Sequence, residues 1–247
     1  MNSVHQVNIK SLYRKTITLF ILCFIFLSFN ARSQKVLYQE DHDNKPYYFG
    51  ITLAANMARF HTELHEQFLH QDSILVAEPL NSGGFSLGLL ATARLSHRFE
   101  GRFNPQLSFL DRSIAYKLTY PEHDGETSIN KKIESVIVTF PLQLKFQSDR
   151  IGNFRVYLLG GGKMDFDLAS NARARKAEEL VKIQKLDYGV EGGIGFNFYF
   201  PSFIFSPEIK FSNGLRNIHS RDENLKFSSV IDRIQSRQIV FSIHLEG

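Results

Sequence analysis

The sequence predicts an all-β chain: eight antiparallel strands wound up-and-down into a barrel of the outer-membrane type, preceded by a signal peptide. Three observations carry the prediction. Apolar and polar residues alternate with period two over eight separate runs, the mark of strands with two unlike faces. The connections between runs alternate short and long. And the chain holds 23 phenylalanines among 247 residues, more rings than a narrow barrel interior can take.

The N-terminus reads as a targeting segment. Lys10, Arg14 and Lys15 form a basic stretch ahead of the apolar run Thr16–Phe29, and Ala31-Arg32-Ser33 places small residues where a signal peptidase reads them. Residues 1–33 are therefore assigned to a signal peptide cleaved after Ser33. The apolar run is shorter than the ~20 residues a spanning helix needs. Cys23 is the only cysteine. It lies in this segment, so the exported chain is expected to lack thiol chemistry, disulfides and cysteine-bound metals. Residues 34–46 read as a polar, disordered lead-in, and 47–247 as the barrel domain.

The strand-like runs are 47–59, 84–95, 99–115, 133–147, 154–168, the two arms of the hairpin 185–215, and 237–245. The hairpin shows the pattern clearly. Val190, Ile194, Phe196, Phe198 and Phe200 share one parity, and Glu191, Gly193, Gly195 and Asn197 the other. Across the turn Pro201-Ser202, Phe203, Phe205, Ile209 and Phe211 oppose Ser206, Glu208, Lys210 and Ser212. The connections 96–98, 148–153 and 201–202 are short; 60–83, 116–132, 169–184 and 216–236 are long and polar. Short periplasmic turns and long outer loops mark outer-membrane barrels. The segment 172–181 reads as one or two helical turns within its loop. Pro105, Pro141 and Pro207 fall inside strands, where proline cannot donate to the ladder, so bulges or local irregularity are expected there.

An eight-stranded barrel is either a soluble cup, apolar inside, or a membrane barrel, apolar outside. The interior of eight strands is just wide enough for side chains to fill. The apolar parity carries Phe49, Phe85, Phe103, Phe140, Phe146, Phe166 and Phe241 besides those of the hairpin. They are expected to face lipid. The other parity carries glycines and mixed charges: Arg94, Arg102, Lys145, Arg155, Lys163, Asp165, Glu191, Glu208 and Lys210. These nine are read as structural lumen residues that pair across the barrel, because an isolated charge there is costly. Phe198, Tyr199, Phe200 and Phe203, with Phe99, Phe146 and Phe154, form an aromatic girdle at the short-turn end.

Catalytic and ligand chemistry is not legible. The sequence has no P-loop, GxSxG or HExxH motif. His61, His65 and His70 lie close together but read as loop residues. Gly160-Gly161-Gly162 leads into strand alternation rather than a helix N-terminus, which argues against a phosphate cradle. Asp165 with Asp167, and Glu191 with Glu208, are carboxylate pairs without a pocket. The net charge of +4, without a compact basic patch interleaved with aromatics, gives no footprint for nucleic acid. No enzyme activity, cofactor, metal, catalytic residue or small-molecule substrate is inferred.

Several segments carry a resemblance. YFGITLAANMARF (48–60), GGFSLGLLATARL (83–95), RFNPQLSFLDRSIAY (102–116), VTFPLQLKF (138–146), RVYLLGGGKMDFDLAS (155–170) and LDYGVEGGIGFNFYFPSFIFSPEIKFSNGL (186–215) together resemble the PorT/SprT family. That family comprises outer-membrane β-barrel proteins of type IX secretion and gliding motility in Bacteroidetes. The resemblance implies a role in exporting cargo that bears a C-terminal sorting domain, with outer-membrane lipid and other type IX secretion proteins as partners. It supplies no catalytic residues. One departure is the end, His244-Leu245-Glu246-Gly247, where many such barrels place an aromatic residue; Phe241 is the nearest. The alternative is a small-solute or lipid-binding outer-membrane barrel, or a narrow channel.

Overall fold

The computed structural model describes residues 36–66, 68, 74–120, 127–169, 183–220 and 226–247. The segment assigned to the signal peptide, the loop turn 172–181 and His70 lie outside them. From Leu37 onward the chain forms one compact unit.

Ten strand segments make eight staves. They are β1 (Tyr47–Leu64), β2 (Ile74–Leu80), β3 (Ser82–Arg94), β4 (Phe99–Phe103), β5 (Gln106–Leu118), β6 (Ser128–Gln147), β7 (Phe154–Asp167), β8 (Leu186–Tyr199), β9 (Ile204–Gly214) and β10 (Ile231–Glu246); a one-turn helix α1 (Lys226–Ser229) precedes the last. All pairings are antiparallel, and β1 closes the ring by pairing with both β10 and β3. β4 and β5 are one stave, interrupted at Asn104-Pro105, and both pair with β3 and β6. β2 continues β3 along β5, with a one-residue slip between Leu80↔Ser113 and Gly84↔Leu110.

Each of the three strand prolines falls at a gap in one ladder. Pro105 sits at the stave break, as expected. Pro207 coincides with a gap in the β8–β9 ladder between Gly195↔Glu208 and Phe198↔Phe205. Pro141 keeps its place in the β6–β7 register opposite Lys163, but on its other side it falls in the ladder gap opposite the Asn104-Pro105 break, between Phe103↔Leu142 and Gln106↔Thr139.

The outer segments correct three loop assignments. β1 runs on to Leu64 and β2 occupies 74–80, inside the expected loop 60–83. β5 and β6 extend into 116–132, and α1 and the start of β10 fill much of 216–236. The reason is a reversal of polarity along the staves. On β5 the inward residues run Gln106, Ser108, Leu110, Arg112, Ile114, Tyr116, Leu118, while the outward ones pass from Leu107 and Phe109 to Asp111 and Lys117. Near the short turns the barrel is apolar outside and polar inside; at the far end it is the opposite. There Phe60, Ile74, Ile114, Tyr116, Phe227, Ile231 and Ile234 form a buried apolar cluster. Outside it, Arg59–Glu78, Lys132–Asp111 and Arg233–Glu63 are solvent-exposed ion pairs.

That belt of charges marks the outer limit of the apolar band. On β6 the band spans Val136 to Phe146, matching the ~9–11 tilted residues of a bilayer crossing. Its lower limit is ringed by Phe99, Phe146, Phe198, Phe200 and Phe203, all exposed. Phe99 lies 5.1 Å from Phe146, and Phe200 stacks on Phe203 at the same separation. Short turns place this end on the periplasmic side.

The lead-in is not disordered over its described part. Glu40–Asn44 forms a 3-10 turn at the periplasmic end, with His42 buried. Arginines, rather than an apolar face, hold it there.

Candidate functional site: the filled lumen and its periplasmic mouth

Alternation sends every second side chain inward, and two devices make room for the long ones. Glycines form one. A Cβ on Gly195 would stand 2.3 Å from the Tyr157 ring, so that ring lies where a larger residue would sit. The other is pairing. Eight of the nine expected lumen residues are buried: Arg102, Lys145, Arg155, Lys163, Asp165, Glu191, Glu208 and Lys210. Arg94 lies at the mouth, with its side chain 13% exposed.

The charges meet in layers. In the middle layer Arg102 donates to Glu208 at 2.7 Å and to Glu246 at 3.1 Å. The Tyr157 hydroxyl donates to the same Glu208 carboxylate at 2.8 Å. His244 Nε2 lies 3.4 Å from it, and Lys210 bridges Glu208 at 4.0 Å and Glu191 at 3.6 Å. Gln143 donates to Glu191. Toward the periplasm Glu100 accepts from Tyr48 at 2.8 Å and from Gln147 at 3.2 Å, and pairs with Lys145 at 3.4 Å and Arg94 at 3.2 Å. Lys145 also sits 4.2 Å above the Tyr157 ring, a cation–π contact. Toward the outside Lys163 pairs with Asp165 at 2.5 Å, and Arg112 with Asp167 at 3.3 Å. Arg112 also stacks on Phe60, where the polar lumen meets the apolar cluster.

The structure thus adds Glu100, Arg112, Asp167, His244 and Glu246 to the nine expected lumen residues. Glu100 and Arg112 share the parity of Arg102, and Glu246 that of His244, so the alternation already pointed inward. The carboxylate pairs noted in the sequence do not act as pairs: each carboxylate is answered by a cation or an amide. Among the described residues no group of three histidines, cysteines or carboxylates is arranged to hold a metal. His61 belongs to β1 and His65 follows it.

At the mouth, the His42 ring wedges 4.4 Å from Tyr48 and 6.4 Å from Tyr199. Both its nitrogens are buried, with no hydrogen-bond partner among the described residues. Burial therefore pushes its pKa down to about 4; Glu246 and Glu100 pull it up, and Lys45 and Arg94 push it further down. A base whose pKa is lowered on docking takes up a proton more readily once released. Docking is then at full strength above the ordinary histidine pKa of ~6.5 and weakens as pH falls toward 4, by about 1–2 kcal/mol at pH 5. An NMR titration of the His42 ring should give a midpoint near 4; one near the ordinary ~6.5 would contradict the burial.

A closed eight-stranded ring with an apolar outer band, an aromatic girdle and a charged, filled lumen defines an outer-membrane β-barrel. The chain belongs to the outer-membrane protein β-barrel domain family, whose sequence model matches residues 34–220. No curated protein matches the sequence significantly. Among solved structures, OprG from Pseudomonas aeruginosa is similar over 81% of this chain and 93% of its own, at 16% identity and a TM-score of 0.43. Neisserial surface protein A is similar over 80% and 96%, at 10% identity and a TM-score of 0.38. Ail of Yersinia pestis, solved with the heparin analogue sucrose octasulfate, is similar over 82% and 100%, at 10% identity and a TM-score of 0.37.

Proposed function

We propose that this protein is a non-catalytic, non-conducting barrel that serves type IX secretion as an accessory of the outer membrane. One observation carries the non-conducting part: the lumen is blocked at three levels. The 3-10 turn sits in the periplasmic mouth. The Arg102–Glu208–Glu246 network spans the middle. The apolar cluster fills the outer end. A barrel so filled acts through its surfaces. The secretion part rests on the ordered resemblance of residues 48–215 to the PorT/SprT family. Deleting the gene is expected to abolish or sharply reduce release of cargo bearing a C-terminal sorting domain. Normal release would refute the secretion role and leave the closed barrel standing.

A lipid-binding role is the second reading, favoured by one feature. On the outer face, Ala55 and Pro207 leave an apolar depression of about 720 Å³ between Phe85, Phe196 and Phe241. It opens toward lipid, so it favours an acyl chain over a polar solute.

A further inference from the structure

We propose that the periplasmic mouth is a peptide-acceptor site, and that the segment Tyr38–Asn44 is its resting ligand, bound in cis and displaceable by an acidic turn from a periplasmic protein. The inference does not rest on the secretion role.

The charge balance of the barrel wall is the first argument. Arg94, Lys145, Arg150 and Arg155 converge at this end. Glu100, on β4, answers two of them, Arg94 and Lys145. Among the described residues, the carboxylate that Arg150 and Arg155 pair with is Asp43, at 3.3 Å and 3.0 Å. Asp43 belongs to the 3-10 turn, not to the barrel. Without the segment, the wall presents two arginines with no acid opposite them.

The manner of binding is the second. The segment is held as a peptide ligand is held, by its carbonyls and two side chains. Arg94 donates to the carbonyls of His42 and Asp43. Arg150 donates to those of Tyr38 and Gln39 while stacking 3.7 Å above the Tyr199 ring. The Tyr38 amide donates to Asn153 Oδ1 at 2.9 Å. His42 fills an aromatic slot between Tyr48 and Tyr199, and Asp43 follows it onto the two arginines. The recognised pattern is therefore a flat ring followed directly by a carboxylate.

Backbone conformation is the third. Gln39 holds a left-handed conformation, with φ 53° and ψ 49°, which a residue with a side chain rarely adopts. Such a conformation persists where the surroundings impose it. Here its carbonyl accepts from the His42 amide at 3.1 Å and from Arg150 at 3.4 Å. Loss of the arginine would relax it.

The test uses the full chain folded in detergent micelles. A glutamyl endopeptidase cuts after Glu40, which is exposed but fixed in the turn. The mass of the released N-terminal fragment reports cleavage. The double variant Arg150→Ala, Arg155→Ala is expected to be cut at least roughly tenfold faster than the wild type. Heat-shifted gel migration confirms that the barrel remains folded. If that variant fails to fold, Asp43→Arg takes its place, because residue 43 lies outside every strand and its reversal should release the segment. A labelled peptide of sequence LYQEDHDNK is then added. It should bind the Asp43→Arg protein and lose affinity steeply with salt, since arginine–carboxylate pairs hold it. Equal cleavage in wild type and a folded variant would overturn the proposal. So would failure of the peptide to bind the Asp43→Arg protein.

Discussion

Replacing Arg102 by alanine is expected to destabilise the barrel by ~3–5 kcal/mol, the cost of removing one partner from a buried ion pair. Arg102 is fully buried, and it is held by carboxylates from two strands, Glu208 on β9 and Glu246 on β10. Without it Glu246 loses the cation it pairs with, and Glu208 keeps only the His244 ring at 3.4 Å and Lys210 at 4.0 Å, the latter shared with Glu191. Urea unfolding of the protein folded into lipid bilayers gives the measurement. The triple variant Arg102→Met, Glu208→Gln, Glu246→Gln should recover most of the loss, since the network's cost and gain then leave together. A loss below about 1 kcal/mol for Arg102→Ala, the worth of an exposed pair, would mean that water reaches these groups.

The second large effect is on the outer face. Phe241 is 52% exposed and lies between Ala55 and Ile209 on the neighbouring staves, with Ile239 and Ile243 on either side along β10. A lysine facing acyl chains near the midplane costs ~2–4 kcal/mol in barrels of this kind. Phe241→Lys should lose that much in the same unfolding experiment. Leu75→Lys, at an exposed position of β2 beyond the belt of ion pairs, should lose little. Equal and small effects at both sites would place the apolar band elsewhere.

How much of this was legible follows from one physical rule, that period-two alternation reports two environments. Inside the membrane the environments are lipid and a polar lumen, so Phe49, Phe85 and Phe241 alternate with Thr52, Ser86 and Ser242, and the staves and their outer face are readable. Beyond the ion-pair belt the environments exchange. Phe60 and Ile234 turn inward while Arg59 and Arg233 meet water. A reading that looks for apolar residues on one constant side then mistakes strand for loop at 60–64, 74–80 and 231–236. The inward charges were readable by parity, but their partners were not. Arg102 meets Glu208 and Glu246 across a ring whose stagger depends on every ladder at once. The docked segment at 38–44 was missed for another reason: its sequence is polar throughout, and arginines far away in the chain hold it.

The central claim is that the barrel is closed along its axis. Single-molecule recording in a planar lipid bilayer tests it most directly. The protein, inserted and verified as folded, is predicted to give no stepwise conductance in concentrated potassium chloride at any moderate voltage. Reproducible conductance steps from the wild-type protein would show a continuous water path past Arg102 and Glu208, and would contradict the account.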